Sequence, residues 1–421
     1  MAEQHGKALV PQIRFAGFTD PWEQRKLEDY VVVSTAKNVD GRFNKEDVLS
    51  VSGEYGIVNQ IAFQGRSFAG SSVLNYGIVN TGDIVYTKSP LNSNPYGIIK
   101  VNKGIPGIVS TLYAVYRPQD NVHTNFIQVY FEQHERMNNY MHPLVNKGAK
   151  NDMKVTAENA LKGVVTFPSR EEQVIISEFF DRLDSLITLH QRKYDKLCVL
   201  KKSMLDKMFP KGGSLYPEIR FAGFTDPWEQ RKVGDFLSES RIKGNTGLNS
   251  RKLTVKLWGK GVIEKNDFGG SEHTQYFIRH KGQFIYSKLD FLNSAFGVIP
   301  EKLDGYESTA DLPAFDLVEM NPHFMFFTAI QEGFYLKHGS AADGSRKAKR
   351  IHVNTFLEMP IMVPTVAEQD LIVEYLQSLD CLITLHQRKY CGVASWMLGV
   401  ALVRLGSESD GAFGEMKHVL R

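Results

Sequence analysis

Only three of the 421 residues are cysteine, namely Cys198, Cys381 and Cys391. They form no Cys-x-x-Cys pair and no Cys/His spacing suited to zinc. That excludes a disulfide framework and a zinc module, and it implies reduced thiols in a cytoplasm. Long apolar runs are missing too. None approaches the ~20 residues of a membrane span, and the opening MAEQHGKALVPQ has no apolar core of a secretory signal. Strong charge of one sign is also absent. A net charge of +3 and a pI near 8.5 permit nucleic acid without arguing for it, so only local clustering would count.

Signatures of catalysis are equally scarce. There is no Gly-Lys-Ser/Thr phosphate loop, no Gly-x-Gly-x-x-Gly, no His-Glu-x-x-His and no Gly-x-Ser-x-Gly elbow. Asn94-Pro-Tyr96 and Asn321-Pro-His-Phe324 lack the second proline of an amino-methyltransferase motif, and no glycine-rich loop precedes either, so they read as turns. His134 and His142 read as surface histidines, and no carboxylate pair marks a nuclease metal site. The expectation is a binding protein without a catalytic site, a metal or a cofactor of its own.

What the chain does contain is a long helix. Glu171–Phe209 has neither proline nor glycine. Ile176, Phe180, Leu183, Ile187, His190, Tyr194, Leu197, Lys201, Met204 and Met208 step alternately by four and three, the 3.5-residue period of a coiled-coil seam. A helix ~55 Å long cannot bury such a seam alone. The partner is predicted in the same chain: Leu382–Tyr390 (LITLHQRKY) repeats Leu186–Tyr194 residue for residue. Leu376, Leu379, Ile383, His386 and Tyr390 form the second seam. His190 and His386 are the polar members, suited to fixing register.

The doubling extends further. Pro11–Leu27 (PQIRFAGFTDPWEQRKL) returns as Pro217–Val233, differing only at Gln12/Glu218 and Leu27/Val233. Gly17, Asp20 and Pro21 mark a turn-rich connector, and Phe15, Phe18 and Trp22 read as core anchors. Gly82–Lys88 (GDIVYTK) echoes Gly282–Lys288 (GQFIYSK), each a strand. Phe167-Pro168 with Glu172-Gln173 parallels Val363-Pro364 with Glu368-Gln369. Each half therefore runs opening motif, variable block of short β-type segments, long helix. The fold class predicted is α+β, with two mixed-sheet domains and an internal pseudo-two-fold repeat. Phe209-Pro-Lys-Gly-Gly-Ser214 stops the first helix and links the halves.

Cations gather on polar loops just before each long helix: Lys147 and Lys150 in the first half, Arg346, Lys347, Lys349 and Arg350 in the second. Four cations in five residues repel one another unless solvent or an anion relieves them, and a DNA phosphate track would do so. By location and residue type the candidate DNA contacts are Arg66, Lys88, Ser89, Asn92, Lys147, Lys150, Lys288, Arg346, Lys347, Lys349 and Arg350.

Two variable blocks, each followed by a long helix carrying a Pro-x-x-x-Glu-Gln segment and LITLHQRK, resemble the specificity (S) subunit of type I restriction–modification enzymes. The repeated IRFAGFTDPWEQRK is similar to subunits of that family, and the resemblance spans Pro11 to Tyr390. It implies a first target recognition domain at 11–168, a spacer helix at 169–210, a linker and second recognition domain at 211–363, and a second spacer helix at 364–405. It further implies an antiparallel coiled-coil spacer and a split double-stranded DNA target read one half-site per domain. Two methyltransferase (M) subunits and the restriction/translocase (R) subunits would be partners, and they would carry S-adenosylmethionine, ATP and Mg²⁺. The chain would be non-catalytic by itself and cytoplasmic. The alternative class is a coiled-coil adaptor that binds protein only. One departure stands out. After Tyr390 the second helix abandons the first one's ending, and Gly392 and Gly399 fall within it. Residues 406–421 form an atypical tail of the kind a frameshift or recombination joint leaves.

Overall fold

Each half is closed by its own opening motif. The computed structural model describes residues 10–11, 13–88, 94–147, 153–247, 249–265, 272–339 and 350–403. The chain divides into two units, residues 1–189 with 390–421, and residues 190–389. In the first, strand Glu23–Lys26 pairs antiparallel with Val164–Phe167, the last strand of the block. In the second, Glu229–Lys232 pairs antiparallel with Pro360–Val363. The repeated Glu-Gln-Arg-Lys is thus a clasp that joins the start of a block to its end.

Inside the first block a four-stranded antiparallel sheet runs in the order Val31–Val33, Tyr113–Pro118, Ile84–Thr87, Ile99–Val101. Beside it lie a hairpin, Leu49–Ser52 with Gly56–Asn59, a pair, Gly77–Val79 with Gly107–Val109, and a short pair, Asn146–Lys147 with Met153–Lys154. Helices α1 (Gln60–Gln64), α2 (Thr124–Phe131) and α3 (His134–Met141) follow in chain order. Tyr86, Tyr116, Phe126, Phe131 and Phe167 centre the core. The chain then enters α4 (Arg170–Lys207), which ends shortly before Pro210 and two glycines in the left-handed region, Gly212 and Gly213.

The second block uses the same plan. Its sheet runs Leu237–Ser240, Ala314–Leu317, Phe284–Tyr286, Phe296–Val298. Its hairpin is Leu253–Val255 with Val262–Glu264, and in place of the extra pair it has a three-stranded sheet in the order Lys243–Thr246, Gln275–Ile278, Glu307–Ser308. Helices α5 (Pro322–Ala329), α6 (Glu332–Gly339), α7 (Val353–Leu357) and α8 (Val366–Val403) close the chain order. Single parallel bridges, Val48 to Ile108 and Lys252 to Glu307, set the two hairpins in equivalent places. The α+β class is observed. The mixed sheets expected from sequence are instead antiparallel in every ladder among the described residues: each pair of neighbouring strands runs in opposite senses, so none needs the crossover that a parallel pair requires.

The echo GDIVYTK/GQFIYSK has a physical cause. Gly82 and Gly282 take φ of +89° and +81° at the turn before the strand, a region open to glycine. Tyr86 and Tyr286 are fully buried, and each hydroxyl donates to a carbonyl, of Tyr96 (2.8 Å) and Ile351 (3.0 Å). Those bonds satisfy the polar tip of a core aromatic. Phe15 departs from its expected role: it is surface-exposed, its ring edge-on to Phe179 at 5.5 Å. Trp22 is half-buried against Phe126, whereas Trp228 is 1% exposed.

Candidate nucleic-acid interface

The frame of the site is set by two buried carboxylates. Glu172 and Glu368 sit in the first turns of α4 and α8, each only 1% exposed. Arg14 Nε and Nη2 donate to Glu172 at 2.9 and 2.7 Å. Arg220 does the same to Glu368 at 2.7 and 2.8 Å. A bidentate guanidinium is the partner a desolvated carboxylate needs, and the pairing raises the pKa of both arginines. The adjacent glutamines finish the joint. Gln173 donates to the Pro168 carbonyl (2.9 Å) and accepts from His123 N–H (2.9 Å). Gln369 donates to the Pro364 carbonyl (3.1 Å) and accepts from Asn321 N–H (2.9 Å). The Pro-x-x-x-Glu-Gln spacing is therefore the seat by which a helix grips its own block. Asn321 also caps α5, accepting from His323 N–H and Phe324 N–H.

The seam residues divide by what they touch. Ile176 is buried in the core of the first block, with Phe180 packed against it. Those two positions serve the block, a role the 3.5-residue period alone does not distinguish. Leu183 and Ile187 are half-buried. Within the second unit, Leu197, Met204, Leu205 and Met208 share one cluster with Ile372, Val373, Leu376 and Leu379. Lys201 pairs with Asp380 at 2.5 Å. His190 and His386 meet Nδ1 to Nδ1 at 2.9 Å, so one ring donates and the other accepts. Desolvation, then the neighbouring His386, Lys389 and Lys193, lowers the His190 pKa. Tyr194 and Ile383 are half-buried on the same faces.

Of the cations predicted to meet DNA, Arg66 is exposed on the loop after α1 and stacks over Phe68 at 4.6 Å. Lys88 and Lys288 occupy equivalent, half-buried ends of the central strands, their N–H groups donating to Leu112 O (3.2 Å) and Asp311 O (2.9 Å). The Lys288 carbonyl accepts from Ile351 N–H at 3.0 Å, which brings Arg350 close by. Arg350 is not a bare cation, since its guanidinium lies 3.9 Å from Asp311. Ser89, Asn92, Lys150, Arg346, Lys347 and Lys349 lie outside the described residues, as do the side chains of Lys147 and Tyr390. Lys147 is in the short strand Asn146–Lys147.

Sequence reasoning passed over the two hairpin tips. Tyr55 and Trp258 are each 60% exposed there. The available signal was an aromatic flanked by glycines, Tyr55-Gly56 and Trp258-Gly-Lys-Gly261. Among the described residues no cluster of three or more His, Cys, Asp or Glu could hold a metal ion, and no helix is long and apolar enough to cross a membrane.

The geometry defines a class: an α+β protein of two blocks with the same sheet order, each block seated on the first turn of a long helix and presenting cationic and aromatic loops. Residues 19–198 match the family model of the type I restriction modification DNA specificity domain. The resemblance read from the sequence is thereby borne out. Among solved structures, the S subunit of a type I restriction–modification system from M. genitalium is similar at a TM-score of 0.54 and 11% identity, covering 95% of this chain and 100% of that one. The HsdS subunit from Thermoanaerobacter tengcongensis is similar at 0.44 and 14%, covering 92% and 98%. A chain from a study of complex assembly and conformational transition of the type I R-M system is similar at 0.39 and 13%, covering 91% and 96%. No curated protein matches.

Proposed function

We propose that the chain is the sequence-specific DNA-recognition subunit of a type I restriction–modification complex. Each block reads one half of a split duplex target. The observation that carries this reading is the doubling of one specificity-domain plan, with the same clasp strand, sheet order and Arg–Glu seat in both halves. Two different readers on one repeated frame suit an asymmetric, interrupted site, as half-site spacing mirrors symmetry in dimeric readers. The antiparallel spacer is supported by the order of contacts in the second unit: His190 to His386, then Lys201 to Asp380. Exposed loop cations would neutralise phosphates and set register, while neighbouring polar groups read base edges.

By the same reading the chain is a non-catalytic scaffold. Two M subunits would dock on it, with S-adenosylmethionine, ATP and Mg²⁺ held by the M and R partners. Support comes from the repeated LITLHQRK, which leaves Leu186, Leu189, Leu382 and Leu385 each more than 40% exposed. Identical sequences presenting identical exposed leucines suit two copies of one partner. The test is a methylation map. The chain is co-expressed with its M subunit and host DNA is sequenced for modified adenines. A motif of two different halves with a fixed gap is expected. No methylation beside a folded M subunit would favour the protein-only adaptor.

A further inference from the structure

The equivalent hairpins differ in sequence yet end alike. In the first block the turn Gly53–Gly56 lifts Tyr55 out, beside exposed Phe63 at 5.3 Å between ring centroids. In the second, Lys256–Gly261 lifts Trp258 out. Trp258 has φ of +61°, a left-handed backbone that a bulky side chain avoids. It is held there by Trp258 N–H to Asn293 O and Gly259 N–H to Ser294 O, both 2.8 Å. Gly259 lies so close to Ile330 that an added Cβ would stand 3.0 Å from its Cγ2. The tip backbone is thus pinned while the indole points to solvent. Lys256 and Lys260 flank the ring, both exposed and with no carboxylate partner among the described residues. A strained backbone that presents a large aromatic to water stabilises nothing within the fold, which is the circumstance in which an outlier points to function.

We infer that Trp258, between Lys256 and Lys260, is a DNA contact of the second block, its indole stacking on or wedging against bases while the lysines hold phosphates. Tyr55 occupies the corresponding place in the first block. The occupant is duplex DNA because the tip pairs an aromatic face with two uncompensated cations, the combination that nucleic acid rewards through stacking and counterion release. The first tip differs in charge. There the exposed Glu54 carboxylate stands next to Tyr55 in the turn and raises the pKa of its hydroxyl. A carboxylate at that place can accept from cytosine N4, so the two tips suit different bases. This inference rests on the DNA-recognition reading and names contacts that the reading leaves open.

The experiment uses the full chain and random-sequence duplex at low salt. Trp258→Gly removes the ring and suits the left-handed backbone, so its melting temperature is expected to equal or exceed that of the parent. Its DNA affinity should fall about tenfold, within the range for losing one aromatic–base stack. The parent-minus-variant tryptophan emission should be quenched when DNA is added. Trp258→Phe should keep most of the affinity. Lys256→Ala with Lys260→Ala should reduce the slope of log affinity against log salt by about 2. Undiminished binding by Trp258→Gly, with a normal salt slope in the parent, overturns this inference alone. A lowered melting temperature in that variant with unchanged affinity also overturns it, by assigning the ring a structural role. A parent that binds no DNA overturns both this inference and the recognition reading.

Discussion

Single side chains carry the joints of this protein, and their burial sets how much each matters. Arg279 is 1% exposed and has no direct carboxylate partner among the described residues. It donates instead to Ser308 Oγ (2.8 Å), Ser240 O (2.7 Å) and Leu312 O (3.1 Å). Desolvation lowers its pKa to about 10. Arg279→Met would fill the volume and strand those acceptors, at a cost of about 3 kcal/mol. A urea titration should show the midpoint fall with an unchanged m-value. Glu172 and Glu368 follow the same logic. Glu368→Gln removes the charge that Arg220 grips, so a lower melting temperature is expected, measured by calorimetry beside Glu172→Gln.

At the scale of the element, the long helices raise two questions that mutation answers. The first concerns pH. An unfolded histidine protonates near 6.5, whereas folded His190 does so lower. Between those values the unfolded chain holds more protons, so stability rises with pH. The contribution is complete above the unfolded value and is lost as pH falls through the folded one. Protonating both rings also removes the acceptor from the His190–His386 bond. His190→Asn should flatten the acid limb of melting temperature against pH, and an unchanged limb would refute the assignment. The second question concerns the departure after Tyr390. α8 continues through Gly392 and Gly399 to Val403, although glycine costs about 1 kcal/mol in a helix interior. Gly392 is exposed, and an added Cβ there would meet nothing within 4 Å. Gly392→Ala should therefore stabilise by up to about 1 kcal/mol. Replacing the chain after Tyr390 by the first half's DKLCVLKKSMLDKMF should raise the melting temperature further. No change in melting would reject the view that this ending is foreign to the helix.

For the whole molecule the relevant quantity is how binding responds to salt. Log affinity for duplex should fall linearly with log salt, at about 0.9 per phosphate neutralised. A protein-only adaptor would show no such slope. Much of the organisation was legible in the chain: the doubled opening motif, the central strands of GDIVYTK and GQFIYSK, the two long helices and the stop before Pro210. These are local or repeated patterns, visible without knowing what touches what. The candidate site was less legible. Arg350 looked like one of four uncompensated cations, and only folding brings Asp311 to it. Ile176 and Phe180 fit the seam period but face the core of their own block. Tyr55 and Trp258 carried no periodic signal, since a hairpin tip is too short to have one.

By itself the sequence determined that this protein is made twice. The identical strings, the 3.5-residue spacing and the glycines before each central strand are properties of chain order, and local backbone preferences act on them directly. Only the tertiary structure decided which groups meet. It seats Glu172 on Arg14, 158 residues away, antiparallel sheets where mixed ones were expected, and an exposed tryptophan on a pinned left-handed turn. Such pairings are chosen by the free energy of burying apolar surface and satisfying every buried polar group across the whole fold. No window of sequence contains that sum.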